Sequence, residues 1–418
     1  MVMVPMEPAP DGNGLAMRAA RFVAGASTHF SVVVLVVPVS GAQPYRPVAE
    51  PAVGTVLVPL AGGGASADPG GSVFSPRWRN LLDAALPFPA AANRAPPTMA
   101  PEVHDALTRA GVAQGTPLHV MRSYLAPLGL AVAERLDSPW RTLDLDDDDE
   151  SVAASLGDGE MAAAYHRLVA TFGGLFDGVC AAAPLESALV AQRFGFDVAV
   201  VPNAVAVPAE TARTPAVPPE LLFVGNLAYP PNLAAATTLA THIAPAVADA
   251  LHRPVNANLV GPHGRDRSLE TLGRRPGIRV TGYVEDLGPL YESASAVVVP
   301  LTHGGGTSIK VLEAFARGVP VVSTRAGVRG LAVQDGTHVL LGENPRELAA
   351  IVTGLLRDPD RAARIARVAR SFVGHHHSQS LIEGEVEEFL RRTAARTGRP
   401  ASRPDPLGAA VRDSAGSR

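Results

Sequence analysis

The sequence predicts an α/β protein built from two doubly wound domains, and three observations support this fold class. The chain has 418 residues, too many for one ordinary hydrophobic core, and 47% of them are hydrophobic. Short β-branched runs alternate with helical patterns along most of its length. A stretch with four prolines and no hydrophobic periodicity, residues 206–219, interrupts this alternation and indicates a linker.

The first half, residues 1–205, contains seven candidate strands. The run SVVVLVVPV at 31–39 is almost continuously apolar, which is typical of a strand buried on both faces of a parallel sheet. The other six are predicted in VMV near the start and at 53–60, 117–123, 140–146, 177–183 and 198–205. Helical patterns lie between them, notably at 101–110, 160–175 and 184–194.

The second half, residues 220–373, repeats this architecture. Its strands are predicted at 221–225, 255–261, 277–282, 295–300, 320–324 and 338–341. Its helices are predicted near 232–250, 266–273, 285–293, 307–317, 345–356 and 360–373. Ligands of open α/β sheets bind at the carboxyl ends of the strands, so we expect the functional site in a cleft between the two domains.

The end of the chain follows a different pattern. A last amphipathic helix is predicted near 380–393, and we expect the segment 374–393 to pack back on the N-terminal domain. The remaining residues, 394–418, are rich in Arg, Ser, Pro and Gly and are predicted to be disordered.

Composition and charge exclude several classes of protein. A formal net charge of −4 gives the chain no overall basic character, which argues against a nucleic-acid partner. Cys180 is the only cysteine, so no intrachain disulfide forms, and its apolar surroundings predict a buried strand residue. No apolar run approaches the ~20 residues of a membrane-spanning helix, and no signal-peptide pattern opens the chain. We expect a cytoplasmic protein, with peripheral membrane contact and oligomeric state left open.

One short stretch carries a specific chemical signal. The sequence HGGGTSIKVLEAFARGVPVVST at 303–324 contains Lys310, the only lysine of the chain, whose arginine-rich composition is typical of GC-rich bacterial coding sequences. A strand is predicted to end at Pro300 and a helix to begin near Thr307. The glycines Gly304, Gly305 and Gly306 let the backbone approach a ligand, and the free N–H groups and dipole of the following helix favour an anion.

The polar residues of this helix start fit such an anion. Thr307 or Ser308 is expected to cap the helix or to donate a hydroxyl to the ligand. Lys310 lies in the first turn, where a cation opposes the helix dipole unless an anion is held between them. Glu313 is on the same helix face and is suited to accept hydrogen bonds from ribose. These residues predict a nucleoside diphosphate or nucleotide-sugar site.

Simpler interpretations remain open for the same residues. Glycine-rich turns before helices are common, and Lys310 and Glu313 together could form an ordinary surface ion pair. The spacing does not match a phosphate-binding P-loop, and DGNG at 11–14 is not a dinucleotide fingerprint. A nicotinamide-dependent enzyme is therefore disfavoured.

The stretch PLTHGGGTSIKVLEAFARGVPVVST, followed by GVRGLAVQDGTHVLL, resembles the donor-binding domain of the GT-B-fold glycosyltransferases of family 4, also called group 1, in a GGGT-K variant of its motif. The resemblance continues through LLFVGNLAYPPNLAA, NLVG and IRVTGYVEDLGPLYESASAVVVPL. It is weaker in PAPDGNGLAMRAARF, LDLDDDDES and FDGVCAAAPLESALVAQRFG, and it covers about nine tenths of the chain.

This resemblance implies a GT-B fold, in which two Rossmann-like domains face each other across a cleft, the N-terminal one binding the acceptor. It also implies metal-independent transfer of a sugar from a nucleotide-sugar with retention of configuration, with no other cofactor. Glu313 matches the second glutamate of the family's E-x7-E motif, which holds the ribose, whereas Gly305 stands in place of the first. The backbone of Gly305 to Ser308 would contact the phosphate and the sugar.

Two further positions follow from the resemblance. Asn226 stands after the first strand of the second domain, where many relatives have a basic residue, and Lys310 would replace that residue as the counter-ion of the departing diphosphate. Tyr283 and Val284 lie in the segment that contacts the base.

Candidates on the acceptor side come from the first domain. Gly12 and Gly14 lie in its first loop, and Asp146 ends the run LDLD. His119 alternates with apolar neighbours, which favours a core histidine over a ligand contact. Arg122 is harder to bury without a partner and is the better candidate for a role in the cleft.

Two clusters could suggest a metal site, but simpler interpretations are favoured. The carboxylates of Asp144 and of 146–149 are expected to be solvated or to cap a helix. The histidines at 375–377 are expected in a surface loop before the last helix.

Two other functions remain as alternatives. Because Gly305 and Asn226 replace charged positions, the protein could be a non-catalytic relative that binds a nucleotide-sugar as a partner subunit. It could also be another GT-B enzyme, such as a nucleotide-sugar epimerase or a phosphorylase. An epimerase needs acid–base residues around the sugar, and the glycine loop offers none.

Overall fold

The computed structural model describes residues 1–37, 107–210, 213–263, 267–303 and 306–398, together with the backbone of 55–57. The chain forms two compact units. Unit 1 comprises Met1–Pro202 with Ile382–Arg418, and unit 2 comprises Asn203–Leu381. The proline-rich stretch 206–219 thus belongs to unit 2, and the chain returns to unit 1 near its end.

Unit 1 is built on a seven-stranded parallel sheet in the order β3-β2-β1-β4-β5-β6-β7. Its strands are β1 (Val2–Val4), β2 (Val34–Val36), β3 (Thr55–Leu57), β4 (Leu118–Met121), β5 (Arg141–Asp144), β6 (Gly178–Ala181) and β7 (Val198–Val200). All seven lie within predicted strand segments. The buried centre of the unit includes apolar residues of β1, β2, β4, β5 and β6, because a parallel strand is covered on both faces.

The helices of unit 1 within the described residues include α1 (Gly14–Ser27), α2 (Ala126–Arg135), α3 (Asp149–Ser155), α4 (Gly159–Phe172) and α5 (Pro184–Phe194). The last two match predicted helices, whereas the first three were not among the helical patterns identified in the sequence. Of the helix predicted at 101–110, residues 107–109 are helical and residue 110 is in a turn, and 101–106 lie outside the described residues.

The last helix, α13 (Gln379–Arg396), packs against unit 1 through close backbone approach. A Cβ on Gly25 of α1 would lie 2.5 Å from the Glu383 carbonyl oxygen, and one on Gly178 of β6 would lie 2.6 Å from the Thr393 hydroxyl. Arg21 adds a 2.5 Å ion pair to Glu383. Glycines at these contacts therefore allow the final helix to cover α1 and β6.

Unit 2 is built on a six-stranded parallel sheet in the order β10-β9-β8-β11-β12-β13. Its strands are β8 (Glu220–Val224), β9 (Asn256–Val260), β10 (Ile278–Thr281), β11 (Ala296–Val299), β12 (Val321–Ser323) and β13 (Leu340–Leu341). The register pairs Ala296 with Leu221, so β8 and β11 are neighbours although five helical segments and two strands separate them along the chain.

The helices of unit 2 surround this sheet. They are α6 (Pro230–Thr238), which continues through a π-helical turn (Leu239–Ile243) into α7 (Ala244–Leu251), then α8 (Arg267–Gly273), α9 (Gly288–Ser293), α10 (Ile309–Ala316), α11 (Pro345–Arg357) and α12 (Pro359–His376). Each predicted helix of this half is present. No helix among the described residues is long and apolar enough to cross a membrane.

The histidine tract does not form the expected surface loop. Helix α12 continues to His376, because Ile365, Ala369 and Val373 extend its buried stripe at four-residue spacing. His377 is buried beyond it, with Nδ1 hydrogen-bonded to the carbonyl of Asn203 at 2.8 Å. The prediction of a loop at 375–377 was wrong.

The strand order fixes where each unit can bind a ligand. In unit 1 the chain crosses from one side of β1 to the other between β3 and β4, and in unit 2 it crosses β8 in the same way between β10 and β11. At such a switch point the two following loops diverge and leave a crevice at the carboxyl ends of the strands. The loops after β1 and β4, and after β8 and β11, are therefore the candidates.

Candidate functional site

Lys310 lies at the switch point of the second sheet. It occupies the first turn of α10, the helix that follows β11, and its Nζ lies 3.3 Å from Oδ1 of Asn232 in α6, the helix that follows β8. The ammonium also stands 5.7 Å from the ring centroid of Phe223 in β8. The expectation that Lys310 begins this helix is confirmed, and its contacts span both sides of the crevice.

Asn232 was not identified from the sequence, yet it organises this crevice. Its buried side chain accepts from Lys310 and donates through Nδ2 to the backbone oxygen of Asn226 at 3.0 Å. Asn226 uses its own Oδ1 to accept the N–H of Ala228, which closes a tight turn. Asn226 therefore shapes the loop after β8, and Lys310 supplies the positive charge.

Two glycines bring the loops after β8 and β9 together. Gly261 has φ +143°, and a Cβ there would lie only 1.9 Å from the carbonyl oxygen of Gly225. A Cβ on Gly225 would in turn lie 3.2 Å from Cε of Lys310. The Val-Gly sequences that end β8 and β9 therefore need glycine, because a side chain would not fit between the two loops. The same close packing brings Gly225 against the aliphatic part of the Lys310 side chain.

The start of α10 presents two hydroxyls without partners. Ser308 is the N-cap residue, but its side chain makes no capping hydrogen bond, and both Ser308 Oγ and Thr307 Oγ1 are buried with no hydrogen-bond partner among the described residues. Gly306 has φ +78°. Buried hydroxyls that lack a partner are costly, so they suit a site in which a ligand completes them. Gly304 and Gly305 lie outside the described residues.

The environment of Lys310 weakens its hold on a proton. Burial lowers its pKa to about 8, and the nearby carboxylate of Glu313 partly opposes this change. No carboxylate lies within ion-pair distance of Nζ in the part of the chain that the structure describes. A half-buried ammonium that faces an amide oxygen and an aromatic ring gains strongly from an anionic ligand.

Glu313 is held in place by a tyrosine. It is 9% exposed on α10, and its Oε2 accepts the hydroxyl of the fully buried Tyr291 in α9 at 2.9 Å. The Arg317 guanidinium lies 5.0 Å from the centroid of that ring. Burial and the adjacent Glu313 carboxylate raise the pKa of Tyr291 well above its usual value, so it remains a donor at all physiological pH values.

Tyr283 and Val284 follow β10 at the same carboxyl edge. Tyr283 is 64% exposed, and Val284 is half-buried. A large exposed aromatic ring at the end of a strand is available to stack on a planar ligand. Their predicted contact with a base remains a prediction.

The carboxyl edge of the first sheet carries a buried ion-pair network. Arg18 of α1 donates from Nε and Nη2 to both oxygens of Asp144, at 2.6 and 2.7 Å, and from Nη1 to the carbonyl of Val201. Burial alone would lower the pKa of Arg18, but Asp144 and Asp146 raise it above its usual value. Arg18 was not identified from the sequence, although it is a charge on an otherwise apolar helix face.

Arg122 is paired with carboxylates of its own unit. Its guanidinium pairs with Asp149, with Asp146 at 3.1 Å and with Asp147 at 3.8 Å, and these carboxylates raise its pKa although burial opposes them. Arg122 also has φ +76°, a backbone conformation that non-glycine residues rarely adopt. The ion pairs neutralise the arginine within the unit, and its predicted role in the cleft remains a prediction.

The acidic run is also different from the solvated cluster that was expected. Asp144 is fully buried, and Asp148 caps α3 by accepting from the N–H of Ser151 while it pairs with Arg193. Burial and the neighbouring Asp146 raise the pKa of Asp147. The capping expectation is confirmed, the solvated one is wrong, and the described residues contain no group of three or more side chains suited to a metal ion.

His119 lies inside the first sheet. It is 3% exposed, its ring stacks on Phe22 at 4.2 Å, and Nδ1 is 2.8 Å from the hydroxyl of Thr142. Burial lowers the pKa of His119 to about 3, with a smaller effect from Arg18. The neutral imidazole packs in the core, as the alternation with apolar neighbours predicted.

Gly12 and Gly14 lie on the loop between β1 and α1. Gly12 has φ +86°, and a Cβ there would meet no atom within 4 Å. Gly14 is the first residue of α1, whose N-cap residue Asn13 accepts from the N–H of Leu15 at 2.9 Å. Cys180, predicted to be buried, is fully buried in β6.

These features define an α/β protein with a candidate anion site at the switch point of its second sheet. Residues 218–358 match the family described as Glycosyl transferases group 1, which covers about a third of the chain. The resemblance seen in the sequence is thereby confirmed, and unit 2 carries the matching domain. The GGGT-K form of the motif remains a prediction.

Relatives of established name match the chain over shorter segments. A D-inositol 3-phosphate glycosyltransferase from Acidothermus cellulolyticus is 36% identical over 120 residues, which is 27% of this chain and 26% of the relative. Its counterpart from Thermomonospora curvata is 33% identical over 161 residues, which is 35% of this chain and 36% of the relative. The chain thus spans about a quarter to a third of the length of these curated relatives.

Solved structures match nearly the whole chain. HepE of Anabaena, solved in complex with UDP and glucose, has a TM-score of 0.64 at 15% identity and covers 93% of this chain and 98% of its own. A sucrose-phosphate synthase from Thermosynechococcus elongatus has a TM-score of 0.65 at 16% identity and covers 94% and 99%. At these identities the likeness shows the fold alone, and the predicted two-domain GT-B fold class is confirmed.

Proposed function

We propose that the protein is a retaining glycosyltransferase that moves a sugar from a nucleotide-sugar to the hydroxyl of an acceptor. The observation that carries this proposal is Lys310, placed at the switch point of the domain that matches the family. Its half-buried ammonium contacts the amide oxygen of Asn232 and the ring of Phe223 and forms no ion pair among the described residues. The matching D-inositol 3-phosphate glycosyltransferases, and HepE in its complex with UDP and glucose, support transfer from a nucleotide-sugar.

The residues of unit 2 would divide the donor among them. Lys310 and the N–H groups at the start of α10 would stabilise the charge that develops on the departing diphosphate, since fixed donors are most effective where charge appears in the transition state. The free hydroxyls of Thr307 and Ser308 would bind the phosphate or the sugar. Glu313, oriented by Tyr291, would accept from the ribose.

The same arrangement supports the remaining parts of the proposal. Tyr283 and Val284 would contact the base at the end of β10. A lysine ammonium in the phosphate position supplies the charge that a metal ion would otherwise contribute, which favours metal-independent transfer. Unit 1 would bind the acceptor, with Arg122 and Asp146 fixing the ends of β4 and β5 and the Gly12 loop open to the ligand.

Binding and turnover together test this proposal. Calorimetric titration with UDP, GDP and ADP should show saturable binding of at least one of them, and loss of binding in Lys310→Met but not in Arg325→Met, an exposed cation of the same unit. The corresponding nucleotide-sugars are then incubated with a panel of acceptors, and NMR follows the anomeric proton of the product.

Each outcome distinguishes a hypothesis. Transfer that preserves the anomeric configuration supports the proposal, and inversion contradicts the retaining mechanism. Binding without hydrolysis or transfer of any donor would identify a non-catalytic nucleotide-sugar-binding protein, an alternative that the neutral Asn226 favours because its side chain is used in a turn. Absence of nucleotide binding would reject both.

A further inference from the structure

The amino-terminal edge of the second sheet holds a cavity that the proposed transfer does not use. Its volume is about 950 Å³, within the range of small-molecule sites. Pro219, Ser295 and Pro320, the residues that immediately precede β8, β11 and β12, line it. The donor residues lie at the carboxyl ends of these strands, so the cavity is at the opposite edge of the sheet.

The cavity is rich in arginine. Five arginines line it against three carboxylates, and the arginines are Arg213, Arg253, Arg317, Arg367 and Arg370. One wall is the face of α12 that carries small residues such as Ala362 and Ala366, which leaves room between the guanidinium groups. A concave site with excess guanidinium charge favours an anion over a cation.

Two of these arginines already donate hydrogen bonds to backbone carbonyl oxygens and so offset their negative partial charge. Arg213 donates to the carbonyls of Gly318 at 2.9 Å and of Ala294, and Arg370 donates to those of Ala316 and Pro208. Ala294, Ala316 and Gly318 lie at the C-terminal ends of α9 and α10, where the helix dipole is negative. These contacts remove the negative potential that would otherwise oppose an anion in the cavity.

The other three arginines keep their donors available. Arg253, Arg317 and Arg367 form no ion pair with any carboxylate among the described residues. Arg253 and Arg367 are exposed at the surface, and the Arg317 guanidinium only stacks on the ring of Tyr291. Of the three lining carboxylates, Asp286 already accepts the N–H of Gly288 at 2.8 Å.

We propose that this cavity is a second ligand site, which binds a multivalent anion that carries phosphate or carboxylate groups. Guanidinium groups bind both kinds of anion through paired hydrogen bonds, so the chemistry of the cavity accommodates either. Arg253, Arg317 and Arg367 would contact the ligand, and Arg213 and Arg370 would hold the helix ends around it.

Titration of the whole protein with two probes tests this site. Pyrophosphate and citrate, one phosphate-based and one carboxylate-based, are titrated by calorimetry into Lys310→Met, because pyrophosphate would otherwise also bind at the carboxyl edge. We expect one equivalent of at least one probe to bind saturably. The affinity should fall at least tenfold when Arg253→Gln and Arg367→Gln are added.

A matched control lies on the same helix. Arg364 is an exposed arginine of α12 that does not line the cavity, so Arg364→Gln should leave the affinity unchanged. Both substituted arginines are exposed, and urea unfolding verifies that the variants keep their stability. Equal affinity with and without Arg253 and Arg367, or no saturable binding of either probe at millimolar concentration, would overturn the proposal.

Discussion

At the carboxyl edge of the first sheet, Arg18 and Arg122 each contact carboxylates of their own unit, whereas at the same edge of the second sheet Lys310 contacts an amide oxygen. Both edges lie at switch points of doubly wound sheets. In unit 1 the cost of burying the arginines is offset by carboxylates of the same unit. In unit 2 the cost of burying Lys310 is offset only in part, by the amide of Asn232. The buried charge in unit 2 therefore gains more from a ligand.

This difference separates two uses of a buried cation. A paired arginine fixes the ends of neighbouring strands, and its removal leaves an uncompensated carboxylate. A lysine beside a neutral amide contributes little to folding, because the amide offsets only a small part of the cost of removing the ammonium from water. Substitutions at the two edges should therefore change different measurements.

The largest effect is expected for Arg18→Met, which leaves Asp144 buried without its cation. Breaking a buried ion pair costs about 3–5 kcal/mol of unfolding free energy. Urea unfolding of unit 1 measures this loss. The double variant Arg18→Met with Asp144→Leu should recover most of the stability, because neither charge then remains.

Arg21→Met is the control on the same helix, since the Arg21–Glu383 ion pair is more exposed. Its loss should cost no more than about 1 kcal/mol. If Arg18→Met lowered the unfolding free energy as little as Arg21→Met does, the Arg18–Asp144 ion pair would not be a major source of stability in unit 1.

The next largest effect is expected for Lys310→Met, and it concerns binding. Loss of a charge-assisted contact of about 1.5–3 kcal/mol should raise the Kd for a nucleoside diphosphate about 10–100-fold. The unfolding free energy should change by less than about 1 kcal/mol or should increase, because the half-buried charge is removed. Calorimetry and urea unfolding on the same samples check both, with Arg325→Met as the control. If Lys310→Met lowered the unfolding free energy as much as Arg18→Met does, Lys310 would have a structural role like that of Arg18.

The pH dependence of binding should reflect the lowered pKa of Lys310, about 8. Below that pH the ammonium is charged and the affinity for a diphosphate is constant, and above it the affinity falls by up to about tenfold per pH unit. A bound anion raises the pKa of the lysine, so the affinity falls between about pH 8 and that higher pKa and is constant again above it.

Titrations between about pH 7.5 and 9.5 avoid the ionisation of the phosphate itself, whose second pKa is about 6. Lys310→Arg should give a flat profile in this range, because a guanidinium stays protonated. If the affinity of Lys310→Arg fell with pH as it does in the unsubstituted protein, the titrating group would not be Lys310.

The smallest effect is expected for Glu313→Gln. The amide keeps the shape of the side chain but accepts a weaker hydrogen bond from a ribose, which should raise the Kd about 2–10-fold, as for a loss of about 0.5–1.5 kcal/mol. A 2′-deoxyribonucleoside diphosphate should reduce this effect if the contact is to that hydroxyl. An equal effect with both ligands would place Glu313 elsewhere than on the 2′-hydroxyl.

Local sequence signals identified most of the architecture. The predicted strand segments overlap all thirteen strands, and central strands such as β1 and β11 are continuously apolar because they are buried on both faces. Helices α1, α2 and α3 were not identified from the sequence. For the candidate site, the glycine loop and the isolated lysine were sufficient to select Lys310 and Glu313.

The partners of these residues could not be identified in the same way. Asn232 is 78 residues from Lys310, and Asp144 is 126 residues from Arg18. Whether a charge such as Arg122 faces a ligand or a carboxylate depends on which strands are neighbours. Periodicity reports only the local burial of a residue, so the carboxylate partners of Arg122 could not be identified from the sequence.

The sequence by itself thus determined the two-unit α/β fold and the position of the anion-favouring helix start, because both depend on contacts between residues near each other along the chain. The tertiary structure decided which charges are paired, how Tyr291 holds Glu313, and how five arginines meet at the amino edge of the second sheet. These contacts depend on the strand order, which joins segments that are distant in the sequence.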